Sequence, residues 1–450
     1  MFLIGCGAGF SGDRTDAAIP VVQALSQAGL PAAIFFETLG ERTLALGQVR
    51  KQKDPDQGYE PLLADIITPI LHNCVRFNIP IIGNFGAANP PAAAQLIKRI
   101  AHDLGLTDIK IAAIEGDDIA STVDIENAPI WEGDGSIAVG KSDLISANAY
   151  LGARAVTDAL RAGADVVVAG RLADPALALG PIMAHYDWSW DDWDVLAQLT
   201  LAGHLLECGA QVTGGYFADP GRKDVANLAR VGFPIAEIRA DASFVITKPA
   251  SAGGEVTLAT VKEQLLYEVH DPANYITPDV VLDITGVELT EIGPDRVWVR
   301  GARGRPRPKQ LKVTAGFAGD WLGEAEISYA GPNAAQRALL AAEVVKERLK
   351  IRQIEVDLRF DLVGLSSVFD NQTSDLLPTM NLDDARDIRL RMAVSADSKT
   401  PVEQALQELS ALYCTGPAGG GGIRSQVRNR IHTRSYLVPR AQVQSRFYFI

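Results

Sequence analysis

The stretch LAGHLLECG places His204, Glu207 and Cys208 at i, i+3 and i+4, on one face of a helix. A histidine beside a carboxylate is a workable acid–base pair, because the carboxylate orients the ring and raises its basicity. The same residues also read as a capped helix end with one satisfied histidine. Glu37 closes the apolar run AAIFF and is a further candidate for proton transfer. Cys208 has no basic neighbour to favour a thiolate, so a buried apolar role is expected of it. His72, His102 and His185 sit in or after amphipathic stretches and carry no chemistry, whereas His270 precedes Asp271-Pro272 at an expected helix terminus.

A second set of residues is suited to binding an anion. Gly7, Gly9 and Gly12 form G-x-G-x-x-G directly after an apolar strand, with Ser11 inside the pattern. A dinucleotide cradle needs strand, glycine turn, helix, then a second strand ending in an acid. Glu37 fits that last place. However, Asp13, Arg14 and Asp16 follow the third glycine, where an apolar-faced helix should begin. A carboxylate beside a pyrophosphate is repulsive, so NAD(P) is disfavoured and a different anion is preferred, with a purely structural turn as the alternative. Arg14 beside exposed backbone N–H groups would make a bidentate carboxylate or phosphate site. Asn84 and Asn89 after the third strand, and Arg171 after the fifth, would complete it. TGPAGGGGIR is a second anion nest by composition, with Gly420, Gly421 and Arg424. Glu115, Asp117 and Asp118 could hold Mg2+ with substrate oxygens, or simply cap the next segment. No other cofactor is expected, and no HExxH, GxSxG, P-loop or kinase signature occurs.

These residues sit in loops, and the elements between the loops can be read from periodicity. MFLIG, AAIFF, IPIIG, IKIAAI and ADVVVAG are continuous apolar runs, as expected of parallel strands buried on both faces. Amphipathic helical stretches separate them, so βαβ units are expected. In such a sheet the strand ends share one edge, where ligands bind. Residues 1–185 therefore read as a parallel, Rossmann-like α/β domain. Residues 186–284 read as a helical, irregular connection, and 285–450 as an α+β domain of alternating strands and two strong helices.

Composition bounds the function. A hydrophobic share of 47% and a charged share of 22% over 450 residues describe a soluble chain of two or three domains. No apolar run reaches the roughly 18 residues a membrane span needs, and the start lacks a basic signal region, so a cytoplasmic location is expected. Four scattered cysteines read as free thiols. The net charge of −13 disfavours nucleic acid. Two basic islands, RVWVRGARGRPRPKQLK and the tail from Arg424 to Arg446, suit an anionic small molecule or an acidic partner, or are solvated strand faces.

The stretches GCGAGFSGDRTDAA, FFETLGERTLAL, NFGAANPPAAA, AGRLADPALALGP, LAGHLLECGAQVTGGYFADPG, EQLLYEVHDPANYITPDV, GARGRPRP and EAEISYAGPNA together resemble the acyclic terpene utilisation (AtuA-like) family. The resemblance covers nearly the whole chain through about residue 350. It implies a role in catabolism of branched isoprenoid acids handled as CoA thioesters, and carries no catalytic residue onto this sequence. Longer relatives have an additional small ferredoxin-like domain after the point where this chain ends, RFYFI. The resemblance therefore implies a separately encoded small subunit, docked on the basic tail, within a homo- or hetero-oligomer. The expected function is a lyase that adds or removes water, or cleaves a C–C bond, beside a carboxyl group or acyl-CoA thioester. In that reading Arg14 and the Gly7–Gly12 backbone anchor the anion, Asn84 and Asn89 stabilise it, and Glu37 or His204/Glu207 move the proton. The alternative is a non-catalytic acyl- or nucleotide-binding subunit.

Overall fold

A computed structural model describes residues 1–125, 127–131, 144–368, 379, 381–383 and 385–450. The chain forms two compact units, Met1–Phe317 with Thr433–Ile450, and Ala318–His432. Among the described residues there are ten α-helices, and none is long and apolar enough to cross a membrane.

The first unit is built on a ten-stranded mixed sheet. Its centre is the five apolar runs, as parallel strands in the order Phe2–Gly9, Ala32–Glu37, Ile81–Gly83, Val166–Val168 and Ile111–Glu115. The first two and the last are flanked by Ala18–Ala28, Trp193–Glu207 and Pro90–Asp103, helices whose apolar residues join the strands in one core. Chain breaks fall where the backbone demands them. Gly29 ends the first helix in the left-handed region at φ 63°, and Pro90-Pro91 begin the helix after Asn89.

The sheet differs from a Rossmann-like arrangement. In that arrangement the first strand lies between parallel neighbours, at the point where strand order reverses. Here Phe2–Gly9 has the parallel strand Ala32–Glu37 on one side and the antiparallel strand Ile235–Ile238 on the other. The antiparallel series continues through Phe244–Thr247, Arg296–Arg300 and Glu288–Gly293. At the opposite edge Arg446–Phe449 pairs antiparallel with residues Ala112–Glu115. A small sheet of Tyr275–Ile276, Val281–Asp283 and Arg303–Arg305, and the pairing of Val313–Phe317 with Leu144–Ala149, complete the unit. Strands between 285 and 317 thus belong with the parallel core rather than with the second unit.

The second unit follows strand, helix, strand, strand, helix, strand. Gln310–Ala330 enters it, then Ala334–Ile351, Asp357–Val363, Asp387–Ala396, Lys399–Thr415 and Gly421–Pro439. The hydrogen-bonded order is Asp357–Val363, Asp387–Ala396, Gln310–Ala330, Gly421–Pro439, the split β-α-β topology of ferredoxin-like domains. A ferredoxin-like strand order thus lies within this chain, ahead of its final strand. Alternation along the strands explains the two faces. Ala325, Ile327, Tyr329, Leu390 and Met392 join the helices in one core, while Glu324, Glu326, Arg389 and Arg391 form ion pairs.

Gly9 sits where the first strand meets the backbone at the end of Trp193–Glu207. A Cβ there would lie 2.5 Å from the Cys208 carbonyl carbon and the Gly209 nitrogen. Gly9→Ala should cost about 1–3 kcal/mol by overpacking, whereas Gly421→Ala, with nothing within 4 Å of its Cβ, should stay within about 0.5 kcal/mol of wild type. Chemical denaturation of the two variants checks this.

Candidate functional site

Parallel-strand ends meet at one cavity of about 730 Å³ in the first unit. Gly9 comes from the first strand, Glu37 from the second, and Arg171 and Asp174 from the loop after Val166–Val168. Glu207 and Cys208 arrive from the end of Trp193–Glu207, and Arg14, Glu41 and Glu268 also line the space.

Arg171 is 1% exposed, and burying a charge is tolerated only when partners replace water. Its Nε donates to the Leu172 carbonyl at 2.8 Å, one terminal nitrogen donates to the Leu39 carbonyl, and the other pairs with Asp174. The guanidinium carbon stands 4.4 Å over the Tyr150 ring. The Arg171 backbone N–H donates to Asp117 Oδ2 at 2.9 Å, an oxygen that also accepts from Asn148 Nδ2 at 2.8 Å. Burial works against the Arg171 charge, but the carboxylates of Asp174 and then Glu41 hold the proton more firmly than usual.

The carboxyls around this cation divide into two kinds. Burial, and then the negative Asp174, push Glu37 up to about 8, against the opposing effect of Arg171 and of hydrogen bonds from Asn84 and Leu39. Both of those bonds end on Oε1, from Leu39 N–H at 2.7 Å and Asn84 Nδ2 at 3.0 Å, so Oε2 is the oxygen that carries the proton. Asp174 is also raised by burial, with Arg171 opposing. Because Asp174 is the one in contact with the guanidinium, it is the ionised member of the pair. Burial raises Glu41 too, but the Tyr150 hydroxyl at 2.5 Å, Arg171 and Lys312 outweigh it and the net shift is downward.

His204 and Glu207 are paired, with Nδ1 3.2 Å from Oε1. Burial lowers the ring to about 4, so it is neutral. Nε2 lies 3.3 Å from the Leu265 carbonyl, which only accepts, so the ring proton is on Nε2 and Nδ1 faces Glu207 as an acceptor. Glu207 must then bring the proton between them, in keeping with the large upward push of burial, Asp174 and Glu268 on its carboxyl. Its Oε2 is buried without a hydrogen-bond partner, an unfavourable place for an anion. Burial also pushes the Cys208 thiol well up.

The glycine turn is arranged differently from an anion cradle. Gly7 and Gly9 lie inside the strand, and a Cβ on Gly7 would strike the Phe36 ring. Gly12, at φ 91°, turns the chain. The next helix begins at Ala18, and the N–H groups of Gly9 and Arg14 donate to the two oxygens of Asp13 at 2.9 and 2.7 Å. The chain's own carboxylate therefore fills the place of a bound anion. Arg14 donates to the carbonyls of Ala229 at 3.3 Å and Val231 at 2.6 Å. Ser11 donates to Glu60 at 2.6 Å and lies outside the cavity lining.

Asn84 and Asn89 are not among the lining residues. Asn84 spends its amide on Glu37 and Thr38, and Asn89 donates to the carbonyls of Pro55 and Gln57. Of the acids suggested for Mg2+, Glu115 meets Arg446, Asp118 meets Gln48, and Asp117 braces Arg171. Among the described residues no group of three or more His, Cys, Asp or Glu is placed to hold a metal ion. Gly420, Gly421 and Arg424 belong to the second unit. In the basic island, Arg296 is bidentate to Glu237, and Arg300 pairs with Glu288. Asp174 and Glu41 join the lining without a motif of their own; their one signal in the sequence is a place in the same strand-end loops as Arg171 and Glu37.

Glu37 keeps its proton in the native state up to about pH 8, while the unfolded chain releases it near 4.5. Stability from this group is full below 4.5 and is lost as pH rises through 8. Glu37→Gln mimics the protonated form, so its melting temperature relative to wild type should climb between those two pH values. A flat difference across a pH series of thermal melts would contradict the assignment.

No curated protein matches the sequence. Among solved structures, a hydantoinase/carbamoylase family amidase from Burkholderia ambifaria is similar over 27% of this chain and 29% of its own length. That likeness has 13% identity and a TM-score of 0.16, and carries no argument. The family described as acyclic terpene utilisation family protein AtuA matches residues 2–449. With nearly every residue covered, the chain belongs to the acyclic terpene utilisation AtuA family.

Proposed function

We propose that this chain is a catabolic lyase that moves a proton and a water molecule, or breaks a C–C bond, beside the carbonyl of a small carboxylic acid or its CoA thioester. One observation carries the reading: Glu37 and Asp174 face one cavity, burial raises both, and Asp174 alone touches the Arg171 guanidinium, which keeps it ionised while Glu37 holds its proton. Such a divided pair supplies an acid and a base at the same pH. For dehydration, Asp174 takes the proton from the carbon beside the carbonyl, and Glu37 Oε2–H gives its proton to the departing hydroxyl, which leaves as water. Proton return from Asp174 to Glu37 resets the site. Hydration is the reverse. Arg171 lowers the energy of negative charge developing on the carbonyl oxygen, and the neutral His204 and protonated Glu207 keep further negative charge out of the space.

Family membership supports the catabolic setting. The test is incubation of the purified chain with 3-hydroxyacyl and 2-enoyl thioesters and the matching free acids, with products read by mass spectrometry. Gain or loss of one water is expected, falling about 10²–10⁴-fold in Glu37→Gln. Turnover in the dehydration direction should decline as pH rises past about 8, where Glu37 loses its proton. Tight binding without turnover, even with a small partner subunit supplied, would instead favour a non-catalytic acyl-binding role.

A further inference from the structure

We infer that Arg14 is a positioning residue that pins the segment Gly215–Val231 as one wall of the cavity, rather than a grip on the ligand. Gly215, Tyr216, Leu228, Ala229 and Val231 of this segment line the cavity. The segment has little structure of its own: an isolated bridge between Asp219 and Lys223, and the short turn Leu228–Arg230. Tyr216 and Asn227 adopt left-handed φ values of 59° and 54°, which cost free energy unless the surroundings hold them. On one side Gly253 and Gly254 bond to Arg230, Gly232 and Ala226.

On the cavity side Arg14 ties the segment, beside the Tyr216 ring against Tyr267 and the Gly215 N–H donating to the Ala210 carbonyl. The two terminal nitrogens of Arg14 reach the carbonyls of Ala229 and Val231, and its guanidinium carbon stands 5.6 Å from the Phe233 ring centroid. Asp13 Oδ1 accepts the Arg14 N–H and Oδ2 the Gly9 N–H. The turn that presents Arg14 is therefore braced against the first strand by its own carboxylate. A guanidinium spends its fixed fork of donors on two successive stretches of one wall, an arrangement a single-point ammonium would match only in part.

Native-state hydrogen exchange and thiol labelling test this without any substrate, so the outcome is separate from that of the proposed lyase activity. Arg14→Ala should speed amide exchange within residues 215–231 roughly tenfold or more. It should also speed alkylation by iodoacetamide of Cys208, which lines the same cavity, relative to the exposed Cys414. Exchange in the strands Ala32–Glu37 and Val166–Val168 should keep its wild-type rate, and Arg14→Lys should restore part of the slow exchange. Wild-type exchange and Cys208 labelling in Arg14→Ala would overturn the inference, as would acceleration spread evenly over the parallel strands.

Discussion

The burial of the Arg171 guanidinium organises the site. A positive charge at 1% exposure persists only if its surroundings are fixed to meet it. The consequence is that Leu39, Leu172, Asp174 and Tyr150, from three separate stretches of chain, must converge on one point. Asp117 and Asn148 serve the same point from behind by holding the Arg171 backbone. The cation in turn sets which neighbouring carboxyls ionise. Asp174 touches it and stays charged, while Glu37, bonded to Asn84 and Leu39, keeps its proton. One buried charge thus fixes both the geometry of the strand-end loops and their protonation states.

Close backbone approach is the second constraint. Gly9 lets the first strand lie against the Cys208–Gly209 backbone, which brings Glu207 to the same space as Glu37, with His204 paired to it outside the lining. A side chain on Gly9 would separate the two halves of the cavity lining, so this glycine serves packing rather than phosphate approach.

The five parallel strands were legible because strands buried on both faces must be continuously apolar, and MFLIG, AAIFF and ADVVVAG are. Glu37 and Arg171 were legible as polar groups at the ends of those runs. The role of Asn84 was not, because an amide two loops away from its partner leaves no local pattern. Asp13 looked like a repulsive neighbour for a bound phosphate and is itself the occupant of the N–H groups. Strand order also leaves no trace in periodicity. The antiparallel neighbour Ile235–Ile238 beside the first strand, and the ferredoxin-like order within Ala318–His432, come from long-range pairing alone. The basic island around Arg296 and Arg300 was ambiguous for a related reason, since the carboxylates that answer it lie on other strands.

The pairing of residues Ala112–Glu115 with Arg446–Phe449 spans 331 positions at the contact between Glu115 and Arg446. At a ribosomal rate of about 5–20 residues per second, roughly 15–65 s pass between synthesis of one strand and arrival of its mate. Throughout that interval the strand Ile111–Glu115 presents an open row of N–H and C=O groups to the crowded cell. The outer edge of the parallel strands is closed only once Arg446–Phe449 has been made and has paired with residues Ala112–Glu115.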